Sequence, residues 1–198
     1  MPAPSLPLTY TIETPRCRLR VPAVTDLPHI FEATRYPGFN EGMLWEPPDT
    51  LDELDEPLRR SLEAWQAAEK FSFSIDLRAS GTFAGRISIR PTDEPRRWNI
   101  GFWLHPQHQG NGYMREAATA ILRFGFETLA AEVIEACYAT WNTPSERVLK
   151  AIGMTFEKHL PHGFKKREAW VAENLMAINR QSWQRRGQGD AGPAEPGT

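Results

Sequence analysis

The segment from Gln107 to Tyr113 is the part of this sequence best suited to chemistry. Two glycines one residue apart, Gly110 and Gly112, follow a run of alternating apolar residues and precede residues with helical spacing. Glycine adopts backbone angles that other residues avoid, so such a loop can turn several N–H groups toward one ligand. Together with the free N–H groups of a helix N-terminus, the loop would suit an anion such as pyrophosphate. A plain glycine-rich turn before a helix fits the spacing equally well.

Other phosphate and metal motifs are absent. The segment lacks the Gly-Lys-Ser/Thr of a Walker loop and the third glycine of a dinucleotide-binding fingerprint. The five histidines of the chain have none of the common metal-binding spacings, so we predict no metal site. Two of them, His159 and His162, flank Pro161 and are predicted to lie in a loop.

The periodicity on either side of this segment predicts the elements that must position it. Residues with alternating apolar character predict strands over 17–21, 71–77, 83–89, 98–104 and 133–140. Two closing strands are predicted over 154–160 and 169–178, joined across His162 and Gly163. Helical spacing predicts helices from Thr25 or Asp26 to about Thr34 and over about 50–69, 112–131 and 143–152. Residues 35–49 are predicted to be irregular, and the short links between 71 and 104 indicate an antiparallel meander.

Local signals also predict how two of the helices begin. Thr50 with Glu53, and Thr143 with Glu146, have the spacing of capping boxes. Pro144 would take the first position of the second of these helices.

The composition is that of an ordinary globular protein. Of the 198 residues, 40% are apolar and 24% are charged, which excludes collagen-like, coiled-coil and wholly disordered chains. The formal net charge of −2 indicates no general surface for nucleic acid, and no run approaches the ~20 apolar residues of a membrane span. Residues 1–10 lack the features of a secretion signal. Cys17 and Cys137 are predicted to be reduced, buried thiols, which fits a cytoplasmic location.

The chain is predicted to hold one domain of mixed class. Residues 1–8, with three prolines, are predicted to be loose, and residues 187–198 to form a disordered tail. Residues 9–186 would form the domain. Its strands and helices share one core, which indicates an α/β (α+β) fold with a mixed, largely antiparallel central sheet flanked by helices.

Several motifs, taken in order, resemble the Gcn5-related N-acetyltransferase (GNAT) superfamily. Gln107-x-x-Gly110-x-Gly112 resembles the family's acyl-CoA pyrophosphate motif. More specifically, the chain resembles the ribosomal-protein N-acetyltransferase (RimJ/RimL-like) branch, over about residues 9–183. The further matching segments are Glu13–Arg20 with Asp26, Tyr113-x-x-Glu116-Ala117, and Asn142-x-x-Ser145 followed by Ile152-Gly153-Met154.

The resemblance implies a fold and a set of contacts for acetyl-CoA. The strands over 98–104 and 133–140 would splay apart, and the pantetheine arm would lie in the gap. The implied backbone partners of pantetheine are Phe102, Trp103 and Leu104, with Asn142 reaching the arm from the other side. The residues implied to wrap the pyrophosphate are Gln109, Gly110, Asn111, Gly112, Tyr113 and Met114.

The resemblance also implies direct attack of a neutral amine on a thioester, which needs a proton acceptor and a proton donor. Ser145 matches the hydroxyl donor of this branch, although it could equally be an ordinary residue of a helix start. Many relatives carry Glu where this chain has Asn99, and Asn cannot act as a base. Glu46, beside Trp45 in the irregular segment, is the substitute candidate, although a solvated loop carboxylate is its more ordinary interpretation.

The resulting hypothesis is a cytoplasmic N-acetyltransferase that uses acetyl-CoA as cosubstrate and no metal. Its acceptor would be a protein N-terminus or a small primary amine, with no nucleic-acid or membrane partner, and the chain would act as a monomer or homodimer. The alternative is a non-catalytic acyl-CoA-binding or regulatory domain that kept the fold and lost the base. The fold alone does not identify the acceptor, because the acceptor site comes from variable loops and the C-terminal hairpin.

Overall fold

The computed structural model describes residues 3–189, which form a single sheet of eight strands flanked by helices. The strands are β1 (Thr11–Glu13), β2 (Cys17–Arg20), β3 (Phe71–Leu77), β4 (Phe83–Pro91), β5 (Arg97–Leu104), β6 (Val133–Ala139), β7 (Thr155–Lys166) and β8 (Ala169–Asn179). The helices are α1 (Leu27–Ala33), α2 (Asp55–Gln66), α3 (Tyr113–Glu127), α4 (Thr143–Ala151) and α5 (Arg180–Gly189). The strand order is β1-β2-β3-β4-β5-β6-β8-β7, and β5 and β6 are the one parallel pair of this described sheet. The predicted mixed, largely antiparallel fold is confirmed.

The two faces of the sheet differ in polarity because alternate residues point to opposite sides. On β4, Ile87 and Ile89 are buried, whereas Arg86 and Ser88 are half-buried. The apolar face packs on α3, where a Cβ added to Gly125 would lie 2.6 Å from Ile134 Cδ1 and 2.9 Å from Ile89 Cδ1. The helix therefore needs glycine at this position for its close approach. The polar face is free to line a cleft.

A buried carboxylate joins the N-terminal strands to the centre of the sheet. Asp26, 1% exposed, accepts hydrogen bonds from Arg20 Nη2 at 2.6 Å, from Ser74 Oγ at 2.6 Å and from the N–H of Ala23 at 2.9 Å. Burial raises the pKa of Asp26, but these donors outweigh it and hold the pKa below its usual value. Asp26 takes the N-cap position of α1, as predicted, but its carboxylate makes no capping hydrogen bond to that helix because it is engaged by Arg20.

The closing hairpin is longer than predicted. β7 runs to Lys166 and β8 begins at Ala169, so the chain turns after Lys166 and not at His162 and Gly163. The register shifts between Leu160 and Phe164, which accommodates Pro161 within the strand. The prediction that His159 and His162 lie in a loop is therefore wrong. His159 Nδ1 instead lies 2.9 Å from Asn174 Oδ1 across the hairpin.

The N-cap of helix α4 lies one residue earlier than predicted. It is Asn142, whose Oδ1 accepts a hydrogen bond from the N–H of Ser145 at 3.2 Å. Thr143 is the first residue of the helix and Pro144 the second, so the predicted Thr143 cap is wrong. The Asn142 side chain accepts a free N–H of the first helical turn, as a threonine cap would.

The other predicted capping box, Thr50 with Glu53, is wrong, because neither of its two reciprocal backbone hydrogen bonds forms. Glu53 Oε2 accepts the N–H of Asp49 and its Oε1 lies 3.2 Å from Thr50 Oγ1. Thr50 itself accepts no backbone N–H, and it precedes a 3-10 turn, Leu51–Leu54, before α2 begins.

Periodicity did not predict the ends of the domain. The N-terminal segment, predicted to be loose, contacts the core here, since the carbonyl of Leu6 accepts a hydrogen bond from Trp65 Nε1 at 3.0 Å. Trp183 of α5 stacks on Phe126, and α5 extends to Gly189, three residues into the predicted tail. Residues 190–198 of that tail, and residues 1–2, lie outside the described residues. None of the helices in the described part is long and apolar enough to cross a membrane.

Candidate functional site

The sheet opens between β5 and β6. Their parallel pairing covers only three residue pairs and ends at Asn99 and Glu135. β5 stays paired with β4 through Leu104, while β6 stays paired with β8 through Ala139. Among residues 3–189, positions 100–104 therefore have no strand partner on the β6 side. The splay implied by the resemblance is confirmed.

The splay leads into a cleft of about 1460 Å3 on the polar face of the sheet. Phe102, Trp103 and Leu104 line it on the β5 side, and Cys137 and Tyr138 line it on the β6 side. An unpaired strand edge in a cleft can accept an extended ligand as an additional strand. Cys137 is half-buried and Cys17 is buried, and both are free thiols. Burial and the nearby Glu173 and Glu135 raise the pKa of Cys137 to about 12, so it is not an activated nucleophile.

The loop between α1 and α2 covers one side of the cleft and is anchored by β7. Lys166 Nζ donates to the carbonyls of Met43 and Trp45 at 3.1 Å and 2.9 Å. The same ammonium lies 3.3 Å from the carboxylate of Glu46. Trp45 is half-buried and lines the cleft. Glu46 also lines it, but its side chain is 51% exposed and is engaged by a lysine.

The glycine loop adopts the backbone that its sequence predicts. Gly110 has φ of +79° and Gly112, the N-cap of α3, has φ of +76°. A Cβ on Gly110 would meet nothing within 4 Å, so the loop is open at this residue, which lines the cleft. Two exposed arginines, Arg115 on α3 and Arg147 on α4, line the same cleft and add positive charge. No pattern in the sequence distinguishes these arginines from other solvated helix residues.

Two loop side chains hold the loop itself. Gln109 Nε2 donates to the carbonyl of Leu104 at 3.2 Å, which ties the loop to the end of β5. Asn111 Nδ2 donates to the carbonyl of Gln109 at 3.0 Å. Gln109, Gly110, Gly112 and Met114 line the cleft, whereas Asn111 and Tyr113 do not. The Tyr113 ring instead packs against Arg16.

One carboxylate connects the loop to the N-terminal strands. Glu116 accepts hydrogen bonds from Thr14 Oγ1 at 2.6 Å, and from the N–H and Nε of Arg16 at 2.7 Å each. Arg16 Nη1 also donates to the carbonyl of Asn111 at 3.0 Å. Burial raises the pKa of Glu116, but the donors Thr14 and Arg16 hold it below its ordinary value. Two motifs about 100 residues apart are thus one polar network that positions the loop.

The start of α4 lies across the cleft from β5. Asn142 and Ser145 both line the cleft. The Oδ1 of Asn142 caps the helix, as described above. The half-buried hydroxyl of Ser145 has no hydrogen-bond partner among the side chains described, so it is free to contact a ligand.

A carboxylate that sequence reasoning missed also lines the cleft. Glu173 lies on β8 opposite Ala139 of β6, and its half-buried carboxylate has no ion pair or hydrogen bond within residues 3–186. Burial raises the pKa of Glu173 above its usual value. By contrast, Glu135 is paired with Arg97 and lies 3.4 Å from Asn99 Nδ2. The one signal for Glu173 was an acidic residue inside a largely apolar strand.

The described residues contain no group of three or more His, Cys, Asp or Glu side chains arranged to hold a metal ion. The polar groups of the cleft include a glycine loop with two arginines, a free hydroxyl and an unpaired carboxylate.

Comparisons with known proteins agree with this geometry. The family described as "Acetyltransferase (GNAT) domain" matches residues 16–155. The chain is 30% identical over 172 residues to a Bacillus subtilis (strain 168) protein named "Uncharacterized N-acetyltransferase YnaD", covering 87% of this chain and 98% of that protein. A GNAT-family acetyltransferase structure from Bacillus anthracis has a TM-score of 0.77 at 24% identity, covering 87% and 99% of the two chains. The structure of Mycobacterium smegmatis RimJ in complex with CoA-disulfide has a TM-score of 0.73 at 22% identity, covering 88% and 89%.

We predict that Glu116→Ala loosens the glycine loop. Hydrogen bonds to a charged group contribute about 1.5–3 kcal/mol each, so amide hydrogen exchange of residues 109–114 should quicken by roughly tenfold or more. Glu127→Ala, at the exposed end of α3, is the control and should leave this exchange unchanged. Unaltered exchange in Glu116→Ala would mean that the network does not position the loop.

The same network should also depend on pH. Because the pKa of folded Glu116 is lowered, its stabilising contribution is complete above the ordinary value of 4.5. That contribution is lost as pH falls through the lower, folded pKa. The protection factors of residues 109–114, which correct exchange for its intrinsic pH dependence, should therefore fall below about pH 4.5, while Glu116→Ala should lack this fall.

Proposed function

Because this chain belongs to the GNAT acetyltransferase family, we propose that it transfers an acetyl group from acetyl-CoA to a primary amine by direct attack in a ternary complex. The observation that carries this proposal is the splayed cleft between β5 and β6, with the glycine loop where β5 leads into α3. The acceptor is a protein N-terminus or a small amine. One relative is named as an N-acetyltransferase and aligns with 87% of the chain, which supports an enzymatic activity.

The residues of the cleft fit the donor. Phe102, Trp103 and Leu104 offer a free strand edge to an extended pantetheine arm, and Asn142 approaches the arm from α4. The open side of Gly110 leaves room for a phosphate against backbone N–H groups at the start of α3. The residues proposed to wrap the pyrophosphate that line the cleft are Gln109, Gly110, Gly112 and Met114, with Arg115 and Arg147 adding charge. Asn111 and Tyr113 stay in the proposed set on the resemblance alone.

Acetyl-CoA supplies a thioester carbon that a neutral amine attacks. An amine is mostly protonated at neutral pH, since its pKa is about 8 for an α-amino group and about 10.4 for lysine. Glu173 is suited to accept that proton, because it is in the cleft, has no partner among the described residues and has a pKa raised by burial. A backbone N–H of the free β5 edge would stabilise the charge that develops on the thioester oxygen.

Ser145 is the proposed proton donor to the departing thiolate. Its hydroxyl lines the cleft at the start of α4 and has no partner among the described side chains. Glu46 remains the second candidate base, but its exposure and its contact with Lys166 make it less suited than Glu173. The alternative of a non-catalytic domain depended on Asn99 in place of a base, and Glu173 removes the need for that interpretation.

We predict that Gly110→Asp weakens CoA binding strongly. A like charge about 4 Å from a phosphate costs about 4 kcal/mol at an effective dielectric constant of about 20, so Kd should rise on the order of 100-fold or more. Gly81→Asp is a matched control, because Gly81 also has positive φ and open space around it but lies in the β3–β4 turn. Calorimetric titration of CoA measures both variants. An unchanged Kd in folded Gly110→Asp would contradict the assigned phosphate site.

Ser145→Ala should lower kcat and leave CoA affinity nearly unchanged. Proton donation is typically worth ~10²–10⁴-fold, and water can replace the hydroxyl in an open cleft, so we expect a loss of about 100-fold or less. The helix cap should persist because Asn142 binds the backbone N–H of residue 145. Thr143→Ala removes an exposed hydroxyl from the same turn and is the control. Equal kcat in the two variants would assign the proton transfer to solvent.

Glu173→Gln should remove the base and part of the pH dependence. Because Glu173 accepts a proton only when ionised, kcat/KM of the native chain should rise with pH through its raised pKa. In Glu173→Gln this rise of kcat/KM with pH should disappear, and kcat/KM should fall by about 100-fold or more. Glu46→Gln is measured beside it. A loss in Glu46→Gln with none in Glu173→Gln would assign the base to Glu46.

A further inference from the structure

The polar face of the sheet beside the splay carries a concentration of positive charge. Arg86, Ser88 and Arg90 alternate along β4 and point to the cleft side, away from the buried Ile87 and Ile89. In the sheet register, Ser88 is opposite Gly101 and Arg90 is opposite Asn99, the last β5 residue paired with β6.

Two other elements contribute to the same patch. Lys70 precedes β3, Ser72 is opposite Ser88, and Ser61 projects from α2. We name the set formed by Lys70, Arg86 and Arg90 with Ser61, Ser72 and Ser88 the cationic subsite; all six residues line the cleft.

The cations of this subsite have no counter-ion in the described part of the chain. No carboxylate lies within 4 Å of Lys70, Arg86 or Arg90, and Arg86 has one hydrogen bond, from Nη2 to Ser61 Oγ at 3.4 Å. Burial lowers the pKa of Arg86, although the charge of Asp26 opposes this effect. Burial, Arg86 and Arg90 lower the pKa of Lys70. Grouped cations without acidic partners are unfavourable unless an anion binds between them.

The acidic groups around the subsite are engaged elsewhere. Asp26 is bound by Arg20 and Ser74. Glu135 is paired with Arg97, so Glu173 is the cleft carboxylate that remains without a partner among the described residues. A carboxylate or phosphate arriving from solution is therefore the natural occupant of this face.

We propose that the cationic subsite binds an anionic group of the acceptor, so that the acceptor is an amine that also carries a carboxylate or a phosphate. This inference rests on the proposed acetyl transfer. The position fits, because Arg90 is opposite Asn99 at the point where the sheet opens and where the amine must approach. Arginine suits both anions, since its guanidinium forms paired hydrogen bonds to carboxylate or phosphate oxygens.

The first test measures anion binding without turnover. Inorganic phosphate, and separately acetate, is titrated onto the CoA-saturated protein while the Nε–H resonance of Arg86 is followed by NMR. We expect a saturable shift with at least one anion and its loss in Arg90→Gln, which changes an exposed side chain of the subsite and should fold normally. Arg123→Gln, exposed on α3, is the control and should retain the shift. Absence of saturation with both anions would overturn the proposal.

The second test compares acceptors in matched pairs. Amino acids are compared with their amides, and phosphoethanolamine with ethanolamine, by release of free CoA thiol. We expect kcat/KM at least tenfold higher for anionic members of one series, which identifies carboxylate or phosphate as the group recognised. Arg86→Gln should abolish this preference while acetylation of the neutral amine persists, and Arg90→Gln should reduce it.

The outcomes separate the two proposals. Equal kcat/KM for charged and neutral members, or an equal loss for both in Arg86→Gln and Arg90→Gln, would overturn the subsite. Weakened CoA binding in Arg86→Gln would assign this arginine to the donor. Binding of phosphate or acetate at Arg86 with no acetylation of any amine would contradict the proposed function and leave the anion site established.

Discussion

The structure depends on the point at which β5 and β6 stop pairing. Each strand is held on its outer side, β5 by β4 and β6 by β8, so the sheet separates into two halves beyond Asn99 and Glu135. This leaves the β6-side edge of residues 100–104 without a strand partner inside the sheet. The cleft, its free edge and the approach of α4 all follow from this single interruption.

Charged networks hold the parts of the cleft in place. Glu116 ties the glycine loop to Thr14 and Arg16, and Asp26 ties Arg20 to the central strand β3. Both carboxylates have lowered pKa values because several donors converge on each one. These networks position the N-terminal strands against the loop and the sheet, and a loop that must hold phosphates against its backbone benefits from such rigid support.

The two faces of the sheet have separate tasks. The apolar face packs so closely on α3 that Gly125 admits no side chain without movement of Ile89 or Ile134. The polar face is covered in part, where α1 and the segment leading into α2 pack on Phe83, and the rest of it supplies the proposed acceptor site. Of the carboxylates on this face, Glu135 is paired with Arg97 and Glu173 has a pKa raised by burial. The unpaired cations of the face lie on β4 and just before β3. One strand, β4, thus serves core packing and recognition with alternate residues.

Local patterns in the sequence determined the central strands and the glycine loop. The alternation of apolar residues predicted β3, β4 and β5 closely. The spacing of Gly110 and Gly112 predicted a loop with positive φ at a helix start. Both features depend on neighbours within a few residues, so a local pattern is enough to predict them. Motif order predicted the family and the splay.

Other features were decided only by the tertiary structure, since they depend on residues far apart in the chain. Asp26 became a buried ion-pair partner because Arg20 and Ser74 surround it, and β7 continued through Pro161 because β8 lay alongside it. Glu173 and Arg86 look like ordinary charged residues of strands in the sequence. They became site candidates because the strand order brings β8 beside β6 and turns the polar face of β4 toward the cleft, and long-range pairing of this kind leaves no local pattern.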